Sequence, residues 1–153
     1  MKQELPGAGD AQPAKASEES SSKPRVYRDL LVFEYARSLF AVPASGVEGV
    51  VPFRTPVTVP GLDARVQGVI QDRGRIIMVL SHPAGRSGVV DFATNATRIV
   101  ICTTARGLIG LPALATRAVG RVELDAEPSV FGVYESSHGA FTYLEPQALT
   151  ESS

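Results

Sequence analysis

The sequence predicts an all-β fold of two small barrels, each of five or so strands. Apolar residues come in short runs separated by turn signals, with no sustained helical period. The order of strands and turns after residue 97 echoes the order before residue 80, although the residues themselves differ. Helical signals are confined to short stretches: Pro112–Arg117, opened by proline, the terminal Pro146–Thr150, and a turn within the connector at 81–96.

In chain order, residues 1–25 hold one large apolar side chain apart from Met1, namely Leu5. Such a segment cannot offset its ordering entropy and is expected to be a disordered tail. Order is expected from Val26. Leu30–Phe33 and Leu39–Val42 form a hairpin about a turn at Ala36–Ser38, and Pro43-Ala44 opens an irregular or one-turn helical piece. Val47, Val50, Val51 and Phe53 carry the next strand. Pro56 then keeps Arg54–Val59 extended.

The stretch from Val57 to Leu80 organises the first half. Pro60-Gly61 marks a turn. Val66–Ile70 is a strand whose Gly68 allows close approach of backbone or a partner. Arg73-Gly74 reverses the chain, and Ile76–Leu80 is an unbroken apolar run read as a central strand buried on both faces. Residues 81–96 are a Gly-, Pro- and Ser-rich connector. In the second half Thr97–Thr103 and Gly107–Leu111 form a hairpin, Val119, Val122 and Leu124 alternate as a half-buried strand, and Val130–Glu135 and Phe141–Leu144 flank a turn at Ser136–Gly139. The expected division is a first barrel over 26–80, the connector over 81–96, and a second barrel with a terminal helix over 97–153.

Composition excludes several functions. The 153 residues carry a net charge of −1, which gives no electrostatic reason to expect nucleic acid or an anionic membrane. No apolar run approaches membrane-helix length, and the polar N-terminus does not read as a secretory signal, so direct membrane insertion is not expected and the cytoplasm is. The one cysteine, Cys102, lies in an apolar strand and is expected to be an inert buried thiol. His82 and His138 read as exposed loop histidines, and no metal-ligand or nucleotide-binding spacing occurs. No catalytic, metal-binding or cofactor-binding residue is assigned, and no cofactor is expected. Every cation after residue 25 is arginine, from Arg28 to Arg121. A GC-rich genome explains this better than an interface does.

The pattern P-G-x-x-x-x-V-x-G-V-I-x-x-R-G-R-I-I, carried by Pro60, Gly61, Val66, Gly68, Val69, Ile70, Arg73, Gly74, Ile76 and Ile77, resembles the centre of the CheW-like domain. The opening LVFEYARSLFAVPASGVEGV resembles that family's first strands, with Phe40, Val42, Pro43 and Val47 in matching places. The likeness covers roughly residues 28–150. Gln71, Asp72, Met78, Ser81 and His82 stand where the family prefers other residues. Gly49 replaces its usual Glu, and Leu114–Ala118 carries no counterpart of its L-V-D-x-V signature.

The resemblance implies two five-stranded SH3-like β-barrel subdomains and a non-catalytic adaptor of a chemosensory system. The partners it implies are the cytoplasmic hairpin of a chemoreceptor and the regulatory domain of a CheA-type histidine kinase. It implies partner binding by Arg73, with apolar lining from Val42, Val47, Val69 and Ile70. Alternative readings are a divergent accessory that binds receptors without standard kinase contact and, lower, a small barrel binding nucleic acid or a small ligand.

Overall fold

The computed structural model describes residues 24–86, 96–125 and 128–150. Residues 1–23 of the expected tail and 87–95 of the expected connector lie outside them. The first sheet draws on β1 (Arg25–Tyr35), β2 (Ser38–Pro43), β8 (Ala115–Asp125), β9 (Val133–Ser136) and β10 (Gly139–Tyr143). The second draws on β3 (Val47–Pro52), β4 (Val66–Asp72), β5 (Arg75–Leu80), β6 (Arg98–Thr104) and β7 (Gly107–Ala113). A 3₁₀ turn at Ala44–Gly46 and a short helix α1 (Pro146–Leu149) complete the described elements.

The hairpins form where the turn chemistry places them. Tyr35 pairs with Ser38, Asp72 with Arg75, Thr104 with Gly107 and Ser136 with Gly139, so all of these hairpins close with two-residue loops. At Arg73-Gly74 both residues take positive φ, 52° and 76°, the mirror-image turn whose twist suits antiparallel strands. Ala36-Arg37 does the same at 51° and 68° without a glycine.

The two sheets share one topology. Their strand orders are β9-β10-β2-β1-β8 and β4-β5-β7-β6-β3. In each, two hairpins meet through one parallel ladder: Phe40 opposite Thr142 in the first, Ile77 opposite Leu108 in the second. This is the internal echo read from the sequence, in three dimensions. The expected division at the connector nevertheless does not describe the sheets. Each sheet takes the opening hairpin of one half and the last three strands of the other. The chain crosses between sheets at two tight points. One is the 3₁₀ turn after Pro43. The other is Leu114, whose N–H donates to the Glu34 carbonyl at 2.7 Å.

Three further expectations need correction. The sheets are not closed SH3-like barrels: among the described residues no ladder joins β9 to β8 or β4 to β3. The segment along the free edge of β4 holds Pro56 and Pro60, which lack the N–H a ladder needs. Only Val57 bridges there, to Val69. Second, Pro112–Arg117 is not a helix. Its first residues extend β7 and its last begin β8. Pro112 is tolerated because the β5 ladder on that side stops at Gly110. Third, the run Ile76–Leu80 is not buried throughout, since Ile76 is 60% exposed.

Each sheet is apolar on both faces. Leu31, Phe33, Phe40 and Val42 pack against Val100, Cys102, Ile109 and Leu111 between the sheets. On its other face the first sheet curls around Leu30, Val32, Leu124 and Phe141. The second curls around Ile70, Ile77, Val79, Ile99 and Ile101. The β2 and β6 sequences are therefore near-continuous apolar runs rather than alternating ones.

Candidate partner-binding surface

The five predicted contact residues fall in different environments. Val42 and Ile70 are core, at 0% and 6% exposure, so they back the surface and do not line it. Val47 is half-buried against the inter-sheet core on β3, at the opposite edge of the second sheet from β4. Val69 is half-buried on β4. Arg73 stands at the tip of the β4–β5 hairpin with its side chain 82% exposed.

Val69 belongs to an apolar row that the sequence alone did not reveal. Val57 pairs with Val69 and Val69 with Met78, so their side chains share one face. Ile76, two residues from Met78, lies on the same face. Val57 is 66% and Ile76 60% exposed. Next to this row, Leu62, Val66, Met78, Leu80, Ile109 and Leu149 line a groove of about 230 Å³ that opens the inter-sheet core to solvent. Exposed apolar side chains beside such an opening form a surface suited to the apolar stripe of a helix. The sequence signal for this face was the i, i+2 spacing of Ile76 and Met78. It was masked because Ile76–Leu80 is apolar at every position.

The groove wall is tied down by charge. Arg65 donates through Nε and Nη2 to the Asp63 carboxylate at 2.9 and 3.1 Å, and through Nη1 to the Leu149 carbonyl at the end of α1 at 3.1 Å. The hydrogen bonds from the Arg65 side chain and backbone hold the Asp63 carboxyl down at about 2.

Arg73 sits at the edge of a second cluster, on the opposite face of the sheet. Asp72 receives Arg54 at 3.3 Å, Arg73 at 3.8 Å and Arg75 at 3.9 Å. Arg75 reaches Glu48 at 3.1 Å, and the Thr103 hydroxyl donates to the same carboxylate at 3.0 Å. These hydrogen bonds, Thr103 first, hold the Glu48 carboxyl below its ordinary range. Glu48, one residue before Gly49, therefore pairs with Arg75, whereas Arg73 of the turn pairs with Asp72. A β-bulge sets Val47 opposite Cys102 and Gly49 opposite Ile101, leaving Glu48 unopposed and able to turn toward Arg75. Together these groups cap the open end of the core around Ile70 and Ile77.

The remaining candidates have structural explanations. Cys102 is fully buried, and burial pushes its thiol up to about 12, which keeps it protonated. His138 lies exposed in a hairpin loop as expected. His82 does not: it is buried, edge-on to the rings of Tyr35 and Phe40 at 5.3 and 5.8 Å. Its Nδ1 accepts from the Ala84 N–H at 3.0 Å, so one backbone turn satisfies that nitrogen in an apolar setting. Among the described residues no group of three or more His, Cys, Asp and Glu is placed to hold a metal ion, and no helix is long and apolar enough to cross a membrane.

Two sheets apolar on both faces, with exposed Val57 and Ile76 beside an opening of the core, define a candidate binding surface. The chain belongs to the CheW-like domain family, whose model matches residues 29–141, more than half of the sequence. Its fold is similar to the crystal structure of the scaffolding protein TtCheW from Thermoanaerobacter tengcongensis. The TM-score is 0.64 at 20% identity, over 83% of this chain and 94% of that one. No curated protein matches the chain by sequence.

Proposed function

We propose that this protein is a non-catalytic adaptor of a chemosensory system. It couples the cytoplasmic hairpin of a chemoreceptor to the regulatory domain of a CheA-type histidine kinase. Membership of the CheW-like domain family carries the reading. The receptor's helices pack their apolar stripe on Val57, Val69, Ile76 and Met78, beside the groove. Arg73, exposed at the tip of the β4–β5 hairpin, swings from its pairing with Asp72 to meet an acidic side chain on the helix. Val42 and Ile70 support this face from beneath. Val47 flanks it only through the inter-sheet core. Signalling works through binding alone: a receptor state with a different affinity for this face changes how the kinase is held. Such an adaptor acts in the cytoplasm, where receptor hairpins end, and needs no cofactor.

Gly49, Ser81 and the absent second-half signature favour one variant of this reading, an accessory that engages receptors without standard kinase contact. Calorimetric titration against a receptor hairpin and a kinase regulatory domain from the same organism separates the two. Binding to both supports the coupling role, and binding to the receptor alone supports the accessory. Binding to neither removes the function while leaving the fold.

A further inference from the structure

A second opening of the inter-sheet core lies at the tip of the β1–β2 hairpin. It is a pocket of about 560 Å³ walled by Tyr35, Phe40, His82 and Phe131, with Arg86 on its lining. It shares no lining residue with the groove beside Met78. Three of its walls are core-anchored, since Tyr35, Phe40 and His82 are buried and pack edge to face.

Phe131 is different. It is 49% exposed and its φ is +66°, a region that a bulky L-residue enters only under strain. The turn that holds it there is bonded on both sides. The Phe131 N–H donates to the Tyr143 carbonyl at 2.7 Å, and the Gly132 N–H to the Ser129 carbonyl at 2.9 Å. With the residue half exposed, core packing does not account for an aromatic at this position. A strained aromatic kept at the mouth of a pocket is evidence for use at that spot.

Charge and chemistry define what the pocket takes. Among the described residues Arg86 is the only permanently charged side chain that lines it, and no carboxylate does. Aromatic walls favour a ring as guest, and the guanidinium favours a carboxylate beside it. Hydroxyls of Ser38 and Thr142 along the wall offer donors and acceptors to a peptide backbone, which a free aromatic acid lacks.

We propose that this pocket binds an aromatic side chain presented next to a carboxylate by an exposed segment of a partner protein. The site is independent of the receptor-binding face and goes beyond it.

The test is amide chemical-shift mapping of the full chain with the acetylated, amidated pentapeptide Gly-Asp-Phe-Asp-Gly. The expected result is saturable shifts at Tyr35, His82, Arg86, Phe131 and Thr142. Replacing the peptide's Phe with Ala abolishes binding, and replacing both Asp with Asn weakens it about tenfold. Arg86→Gln, at an exposed position, weakens the charged peptide about tenfold but not the Asn peptide. Phe131→Gly, which relieves the positive φ, lowers affinity for both. Absent shifts, shifts elsewhere, or equal binding of the Ala peptide would overturn the proposal. So would saturable binding of free phenylacetate without binding of the pentapeptide.

Discussion

Gly68→Ala should detach the segment that covers the free edge of β4. A β-carbon built on Gly68 lies 2.5 Å from the Val57 carbonyl oxygen, 2.8 Å from its carbon and 2.9 Å from the Pro56 β-carbon. Two of those atoms are backbone, so no side-chain rotation relieves the clash. To regain ordinary contact at 3.4 Å or more the segment must retreat by nearly 1 Å. That displacement breaks the paired bonds Val57 N–H to Val69 O, at 2.8 Å, and Val69 N–H to Val57 O, at 2.9 Å. Two backbone hydrogen bonds contribute about 1 kcal/mol each, so the loss is about 2 kcal/mol, before any exposure of the buried Pro56. In urea this lowers the unfolding midpoint by about 1 M. Hydrogen exchange gives the local signature: the Val57 and Val69 amides lose protection first, while Ile101 and Leu111 change only with global stability. An unchanged urea midpoint together with protected Val57 and Val69 amides would refute the claim that Gly68 exists to admit this backbone.

Gly110→Ala places a β-carbon 2.6 Å from the Ile99 Cγ2 and 3.3 Å from the Ile77 Cγ2. It should cost about 1–3 kcal/mol by overpacking, with partial recovery on adding Ile99→Leu, measured by urea unfolding. Burial first, and Arg86 second, lower the His82 pKa below its ordinary 6.5, so the unfolded chain binds that proton more readily. Stability should therefore be full above pH 6.5, fall as pH drops through the window just beneath it, and level off once the folded pKa is passed. His82→Gln should remove that part of the slope in urea midpoints taken between about pH 5 and 8. The Cys102 thiol, buried and pushed up to about 12, should resist iodoacetamide in the native protein and react promptly in denaturant. Stoichiometric labelling of the native state within minutes would contradict its placement.

Local chemistry was legible in the sequence, and long-range exchange was not. The Arg73-Gly74 reversal, the close approach at Gly68 and the burial of Cys102 each follow from a residue type in a short context. The repeat of strand order was also legible, because turn residues punctuate both halves alike. What the order could not carry is which sheet a strand joins after a crossover. Pro43 and Leu114 send β3 and β8 into the sheet of the opposite half, and nothing local distinguishes that path from a return to the same one. Likewise Ile76 and Ile77 are identical in type, and only the pairing with Gln71 and Ile70 places one outside and one in the core. His82 looked like a loop residue because its burial depends on Tyr35 and Phe40, more than forty positions earlier. Gly49 read as the plain loss of an acid, because the bulge that turns Glu48 toward Arg75 is invisible without the opposing strand.

The central claim is that the face carrying Ile76 receives a receptor's helices. The most direct measurement is calorimetric titration of a receptor hairpin into the wild-type chain and into Ile76→Asp, with Arg73→Glu in parallel. Ile76 is 60% exposed, so the substitution leaves the core intact. Ile76→Asp should weaken binding at least tenfold and Arg73→Glu measurably, with unchanged unfolding midpoints. Wild-type affinity in both variants would contradict the claim and move the receptor contact to another surface.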